Sequence, residues 1–242
     1  PVWVEKPLVI SKKQLIDIRK AMTAKKSNYA IGYNRSFAPW TTFMQKKINS
    51  SKTNISITIN AGELPQEHWL LDENQCGGRI LGECCHFIDL ALTLLSHTKL
   101  VFVECITRDR FYQDTGSYIL TFKDGSQANI KYRHDLPASI PKENIIVQLP
   151  KSKYTNNNWK SFSHDKVFNF ISTKKGKGHN EAIDIFLNRI KNNIYSSEKE
   201  IDAMCFSTYV SIKLQQMSKG QTLDILKLYE DEILSKSSKL ND

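Results

Sequence analysis

The sequence predicts an α+β fold, an open and mostly antiparallel sheet with helices on one face. Predicted strands gather in the middle of the chain and predicted helices lie outside them, an order typical of this class. In Asn54–Asn60, three isoleucines alternate strictly with Ser56 and Thr58, which is the period of a half-buried strand. Residues 123–125, Lys-Asp-Gly, are a good hairpin signal between two further strands. The middle of the chain is therefore expected to form the sheet.

The first 34 residues predict a strand, a helix and a second strand. The strands cover 2–4 and 29–33, and the helix covers 12–25 with Ser11 as its N-cap. Strand, helix and strand in this order are typical of the end of a doubly wound sheet. No Gly-x-Gly-x-x-Gly motif follows a strand anywhere in the chain. Because the chain also begins with proline almost inside a strand, we expect it to be a fragment of a larger polypeptide.

The remaining elements follow in order along the chain. Predicted strands cover 100–107, 117–122, 127–132 and 144–148, and residues 152–158 are predicted as a polar loop. Two short strands or edges are predicted over 159–163 and 166–171. Predicted helices cover 40–48, 179–190, 197–216 and 224–235, and the third of these opens with a capping-box pattern. We expect domain boundaries after residues 34 and 226, with a helical and polar tail over 227–242 whose last residues, 236–242, fray.

The stretch 77–95 sets a few polar groups into a helix that is otherwise apolar. These groups are Glu83, His86, Asp89 and Thr93, and at 100° per residue they lie in a stripe about 120° wide. Ionisable groups in apolar surroundings must be hydrogen-bonded, or their charged forms become costly. The stripe is therefore expected to face a polar partner or a cleft. A purely structural role for His86, as a hydrogen-bonded core histidine, stays open.

Composition bounds the class of protein. A chain of 242 residues is long enough for one large domain or a domain plus a fragment. No apolar run approaches the roughly 18 residues of a membrane span, and no signal-peptide pattern is found, so we expect a cytoplasmic protein without a membrane partner. The five cysteines show no Cys-x-x-Cys spacing and are expected to be reduced. No metal is predicted, because the set His68, Cys76, Cys84 and His86 lacks a recognisable zinc-ligand spacing.

The chain is basic, with a formal charge of +9. Its lysines are scattered, and no basic stripe with interleaved aromatic residues is found, so no nucleic-acid partner is predicted. A diffuse positive field would suit anionic small substrates, sugar nucleotides among them, through electrostatic steering. A background composition rich in lysine and asparagine would produce the same charge.

Four motifs, in this order, resemble the second half of a Gfo/Idh/MocA-family oxidoreductase. They are VEKPL at 4–8, GYNRSFAP at 32–39, NAGELPQEHWLLD at 60–72 and GGRILGECCHFID at 77–89. The resemblance covers roughly residues 2–226 and is closest to the branch that is fused behind an alcohol-dehydrogenase-like domain in bacterial surface-polysaccharide pathways. It implies that residues 1–34 are a remnant of a dinucleotide-binding Rossmann domain whose front is missing, and that 35–226 form the substrate and dimerisation domain. It also implies a homo-oligomer through the open sheet face, or contact with the missing N-terminal domain.

The resemblance further implies NAD(P)-dependent oxidation of a secondary alcohol of a sugar, sugar nucleotide or polyol. Such a reaction needs a group that takes or returns the hydroxyl proton, and the motifs put Lys6 and His86 in that position. Glu5, Lys6 and Pro7 are implied to bind NAD or NADP, and Asn34, Arg35, His68 and Trp69 are implied to line the substrate side. Because the helix N-terminus that holds pyrophosphate is not in this chain, we expect the chain alone to bind either cofactor poorly.

One position departs from the family pattern. Where the family has an aspartate four residues before the histidine, this chain has Gly82. Glu83 lies three residues before His86 on the predicted stripe, and we expect it to substitute as the carboxylate partner. Which of Lys6 and His86 carries the proton stays open. The rival hypothesis is a non-catalytic scaffold or binding subunit that kept the domain without a cofactor site.

Overall fold

The computed structural model describes residues 1–165, 167–168 and 176–238. The strands are β1 (Val2–Val4), β2 (Tyr29–Ile31), β3 (Asn54–Asn60), β4 (Leu100–Asp109), β5 (Thr115–Phe122), β6 (Gln127–Arg133), β7 (Glu143–Gln148), β8 (Lys153–Asn157), β9 (Ser161–His164), β10 (Val167–Phe168) and β11 (Thr222–Asp224). The helices are α1 (Lys12–Ala24), α2 (Pro39–Ile48), α3 (Glu73–Cys76), α4 (Cys85–Leu94), α5 (His179–Lys191), α6 (Glu198–Gln216), α7 (Ile225–Tyr229) and α8 (Ser235–Ser238). Short 3₁₀ turns cover Asn34–Phe37 and Trp69–Leu71, and π turns cover Ile80–Cys84 and Glu230–Leu234.

In the described part of the chain, β3 to β11 form one sheet in the order β10-β9-β8-β7-β3-β6-β5-β4-β11. Its neighbouring strands pair antiparallel except β3 and β6, which are parallel. At the centre, Ile57 of β3 stands opposite Ile130 of β6 and Ile145 of β7. The predicted open and mostly antiparallel sheet is confirmed.

One face of this sheet is covered by helices. Ile57 and Ile130 share a single hydrophobic cluster with Met44 of α2, Ile88 of α4 and Val210 of α6. The alternate residues of the central strands face the other way and are half-buried or exposed. The period-two pattern of the sequence therefore sets which side of the sheet forms the core. None of the helices within the described ranges is both long enough and apolar enough to cross a membrane.

The N-terminal strand, helix and strand are formed as predicted. β1 and β2 make a separate two-stranded parallel sheet, and Ser11 caps α1 by accepting a hydrogen bond from the Gln14 N–H. α1 nevertheless packs on the larger unit, because Leu15 joins the common core and the Arg19 guanidinium lies 2.7 Å from Asp202 of α6. The division of the chain after residues 34 and 226 stays a prediction.

One local prediction is wrong. Residues 152–158, predicted as a polar loop, contain β8, which buries Tyr154 and Asn156 on the covered face while its other residues point outward. The Asn156 Oδ1 accepts the Trp159 N–H at 2.9 Å, whereas its Nδ2 is buried without a hydrogen-bond partner among the described residues. The helix predicted over 224–235 is formed from residue 225 onward, as α7, a π turn and the start of α8, directly after the short strand β11.

Some predictions fall partly outside the described residues. Of the strand predicted over 166–171, β10 is described, and residues 166 and 169–171 are not. Of the tail over 227–242, residues up to 238 are described as the rest of α7, a π turn and α8.

Candidate active site

A cleft lies where the end of β1, the start of α4 and the start of α5 approach one another. Its larger cavity, of about 540 Å³, is lined by Lys6, Asn34 and His86 among others. Its smaller cavity, of about 130 Å³, is also lined by Lys6 and His86, together with Arg35 and Glu83. Lys6 and His86 thus line both cavities, although they lie far apart in the sequence.

Lys6 reaches the cleft because β1 stops at Val4 and Pro7 cannot continue a strand ladder. Its ammonium group donates a hydrogen bond to the Gly82 carbonyl oxygen at 2.5 Å. A Cβ at position 82 would lie 3.2 Å from Leu70 and 3.5 Å from Cys76. A side chain there would therefore point toward these buried residues, and it is the backbone of Gly82 that contacts Lys6.

Glu5 and Pro7 flank Lys6 and differ in their surroundings. Glu5 lines the larger cavity and accepts a hydrogen bond from the Trp3 indole at 3.2 Å. It packs against Gly32, where an added Cβ would lie 2.7 Å from a Glu5 carboxylate oxygen. Pro7 is not among the residues that line either cavity. Of the three residues implied to bind the cofactor, the structure brings Glu5 and Lys6 to the cleft.

The predicted helix over 77–95 begins with a π turn, Ile80–Cys84, before α4. Its first N–H groups are capped from outside, because Arg79 N–H donates to Asp114 and Leu81 N–H donates to Gln215 at 3.1 Å. A π turn adds a residue to the turn and changes the direction of the side chains before it relative to those after it. The four polar residues of the predicted stripe consequently face different surroundings.

Glu83 is held by two partners on the sheet side of the cleft. It pairs with Arg79 at 2.9 Å and accepts a hydrogen bond from the Tyr132 hydroxyl. Burial opposes ionisation of Glu83, but these two contacts outweigh it and lower the pKa of the carboxyl group. The expected pairing of Glu83 with His86 is wrong, because among the described residues His86 Nδ1 is buried without a hydrogen-bond partner. Arg79, four residues before Glu83, takes the carboxylate instead.

His86 sits in the cleft as a neutral side chain. Burial, and then the positive charges of Arg35 and Lys6, lower its pKa to about 2. Its ring packs edge-to-face on Tyr33 with the centroids 6.1 Å apart. Near neutral pH the imidazole can therefore exchange hydrogen bonds with a ligand, but it does not carry a proton as an acid.

Asp89 and Thr93, further along α4, line a separate cavity of about 250 Å³. Asp89 accepts a hydrogen bond from Ser36, and the Thr93 hydroxyl donates to Ser36 Oγ at 3.0 Å. Burial raises the pKa of Asp89 to about 6, against the opposing effect of the hydroxyl hydrogen bonds. Asp89 and Thr93 thus form a local polar network with Ser36 outside the cleft.

Two of the four residues implied to bind substrate are at the cleft. Asn34 is buried and donates to the Lys177 carbonyl oxygen at 2.7 Å, and Arg35 lies over the Phe87 ring at 4.7 Å. His68 and Trp69 are not among the residues lining either cavity. The 3₁₀ turn at Trp69–Leu71 leaves the Trp69 ring 53% exposed and stacked on His68. Their assignment to the substrate side stays a prediction that the two cavities do not support.

Sequence reasoning missed the buried carboxylate at the centre of the smaller cavity, Glu143. It is 1% exposed and accepts hydrogen bonds from Arg35 at 2.8 and 2.9 Å, from Lys177 at 2.5 Å and from the Trp159 indole at 2.6 Å. Burial alone would raise its pKa, but Arg35, Lys177 and Trp159 together lower it to about 2. A lone glutamate at the start of β7 gives no sequence signal, because its partners come from three distant segments.

The described residues include no group of three or more His, Cys, Asp or Glu side chains that could hold a metal ion. The five cysteines are buried free thiols.

No protein-family model matches the chain, and no curated protein matches its sequence. Solved structures do match. An oxidoreductase from Thermotoga maritima is 14% identical over 94% of this chain and 71% of its own, with a TM-score of 0.74. An aldose-aldose oxidoreductase from Caulobacter crescentus, complexed with glycerol, is 14% identical over 92% of this chain and 71% of its own, with a TM-score of 0.72. GenD2 from gentamicin A biosynthesis, in complex with NAD, is 15% identical over 92% of this chain and 71% of its own, with a TM-score of 0.64.

The chain has the fold of Gfo/Idh/MocA-type oxidoreductases. This confirms the fold that the four sequence motifs implied. At identities of 14–15%, the likeness concerns the fold.

Proposed function

We propose that this chain forms the substrate-binding and catalytic portion of an NAD(P)-dependent oxidoreductase that acts on a secondary alcohol of a sugar or polyol. The observation that carries the proposal is that Lys6 and His86 line both cavities of one cleft. The two residues belong to separate sequence motifs, and both motifs occur on a fold shared with oxidoreductases. The glycerol and NAD bound in two of those structures support the same class of reaction.

Lys6 is the group proposed to carry the hydroxyl proton. Its hydrogen bond to the Gly82 carbonyl directs the ammonium group toward the start of α4, beside His86. In its neutral amine form a lysine so oriented can take the proton of a substrate hydroxyl, and the resulting ammonium can return it; general acid-base catalysis of this kind contributes about 10²–10⁴-fold to rate.

His86 is proposed to position the substrate rather than to titrate. With its pKa lowered to about 2 by burial, Arg35 and Lys6, it stays neutral over the working range of an enzyme near neutral pH. Its ring lines both cavities, where it can meet a substrate hydroxyl, while its Nδ1 is buried without a hydrogen-bond partner among the described residues. A neutral imidazole can orient such a hydroxyl toward Lys6.

The larger cavity fits a nicotinamide ring. Its volume of about 540 Å³ lies in the range of small-molecule sites, and Trp3, Ile183 and Phe186 give it an apolar wall beside the charged end of Lys6. A nicotinamide bound there would supply the acceptor or donor of the hydride. The finer points stay predictions. These are the choice between NAD and NADP, a sugar-nucleotide substrate, a role in a polysaccharide pathway, a homo-oligomer and a cytoplasmic location.

The proposal is tested by assaying the product of the complete gene with NAD⁺ or NADP⁺ against a panel of sugars and polyols. We expect formation of reduced nicotinamide with at least one alcohol. Absence of both nicotinamide binding, measured by calorimetry, and turnover of any member of the panel would instead support the non-catalytic scaffold or binding subunit. Lys123→Ala is a control variant, because Lys123 lies in the β5–β6 turn, away from the cleft.

A further inference from the structure

The smaller cavity of the cleft carries more positive than negative charge. Four cationic side chains line it against two carboxylates, and these are Lys6, Arg35, Lys142, Lys177, Glu83 and Glu143. A cavity of this composition favours an anionic ligand only if the carboxylates are already neutralised by the protein. The contacts of each charged group decide this.

Both carboxylates already have cationic partners within the protein. Glu83 pairs through Oε2 with Arg79, which is 1% exposed, and the same oxygen accepts the Tyr132 hydroxyl. Glu143 receives the two-pronged contact of Arg35 and the ammonium group of Lys177. Arg79, Arg35 and Lys177 thus offset the two carboxylates before Lys6 and Lys142 are counted.

Lys142 is a cation at this cavity without a counter-charge. Its side chain is exposed, and among the described residues no carboxylate lies within salt-bridge distance of its ammonium group. Its backbone is nevertheless fixed, because the Lys142 carbonyl oxygen accepts the Asn60 N–H at 2.9 Å. The neighbouring Glu143 cannot serve, since its side chain turns into the protein toward Arg35.

Lys6 adds to the same imbalance. Its ammonium group contacts a neutral carbonyl oxygen, that of Gly82, rather than a carboxylate. The pKa of His86, lowered by burial and by the charges of Arg35 and Lys6, is a further sign that the local field is positive. An anionic group entering the cavity would meet Lys6 and Lys142, neither of which has a carboxylate within salt-bridge distance among the described residues.

On the basis of the proposed function, we propose that the substrate is an anionic sugar derivative whose carboxylate or phosphate pairs with Lys142 in the smaller cavity. Lys142 is then a specificity-determining residue, while Lys6 and His86 face the reacting hydroxyl. A charge-assisted hydrogen bond of this kind is shorter and stronger than a neutral one. The neutral parent sugar lacks it and is bound more weakly.

Calorimetric binding of three probes tests this inference: D-glucuronate, D-glucose 1-phosphate and D-glucose. At least one of the two anions is expected to bind wild-type protein about tenfold more tightly than glucose, and Lys142→Ala to lower that affinity about tenfold while leaving glucose unchanged. Lys123→Ala, which removes the same charge away from the cleft, is expected to change none of the three. The anion that responds to Lys142→Ala identifies whether the group is a carboxylate or a phosphate.

The outcomes separate this inference from the proposed function. If glucose binds as tightly as both anions, or if Lys123→Ala has the effect of Lys142→Ala, the anionic substrate is wrong and the sugar site stands. If none of the three probes binds, the inference and the proposed sugar site both fail. Binding of an anion that is insensitive to Lys142→Ala would overturn the role of Lys142.

Discussion

Replacing Glu143 by alanine is expected to lower the free energy of unfolding by about 3–5 kcal/mol. Glu143 is 1% exposed, and its carboxylate joins Arg35, Lys177 and the Trp159 indole, three groups from distant parts of the chain. Removing it leaves the Arg35 guanidinium, itself 11% exposed, without its partner. Chemical denaturation of the variant and the wild type, followed by circular dichroism, measures the difference.

Two comparisons make this prediction specific to the buried pair. Asp135→Ala removes the partner of Arg133 at the surface and is expected to change stability by less than about 1 kcal/mol. The folded-state pKa of Glu143 is lowered from 4.5 to about 2, so its contribution is present above about pH 4.5 and lost as pH falls toward 2. The difference between wild type and Glu143→Ala should therefore narrow on acidification. A constant difference over that range would show that the charge of Glu143 is not what stabilises the fold.

Replacing Lys6 by alanine is expected to lower kcat by about 10²-fold or more with little change in Tm. Lys6 is only partly buried, and its ammonium group makes one hydrogen bond, to the Gly82 carbonyl. Its loss removes the proposed proton carrier and a single hydrogen bond, and the stability cost of losing one such bond is small, about 0.5–1.5 kcal/mol. Steady-state turnover and thermal unfolding of the complete gene product measure the two effects together.

Cys85→Ala serves as the opposite control. Cys85 follows the π turn and is fully buried against Ile31 and Tyr33, so its replacement is expected to lower Tm while kcat is kept. Unchanged turnover in Lys6→Ala would contradict the catalytic proposal even if His86 proved essential. An essential histidine alone is also what a structural core histidine produces.

The sequence predicted the elements whose patterns are local. The alternation of isoleucines in β3, the capping box at the start of α6 and the Lys-Asp-Gly turn between β5 and β6 each depend on neighbouring residues, and each is confirmed. The strand β8 was missed because its polar residues, such as Asn156, are buried by contacts that local pattern cannot show. The π turn before α4 was missed because its external caps, Asp114 and Gln215, come from distant segments.

The candidate site was predictable for some of the residues that a motif named, and unpredictable where charges from distant segments met. Lys6 and His86 were placed in one cleft by their motifs, and the structure brings them together. The pairing of Glu83 was predicted wrongly because helical spacing alone could not reveal that Arg79 and Tyr132 compete for it. Glu143 was not found at all, since its cations become neighbours only in the folded chain.

The pH dependence of kcat/KM for the wild type and His86→Gln tests most directly whether Lys6, rather than His86, carries the proton. Burial, Arg35 and Lys6 lower the pKa of His86 to about 2, so this histidine should not titrate in the working range. Both proteins are expected to share the same inflection points, with the curve of the variant only lower in height. An inflection between about pH 5 and 8 that is present in the wild type and absent from His86→Gln would contradict it.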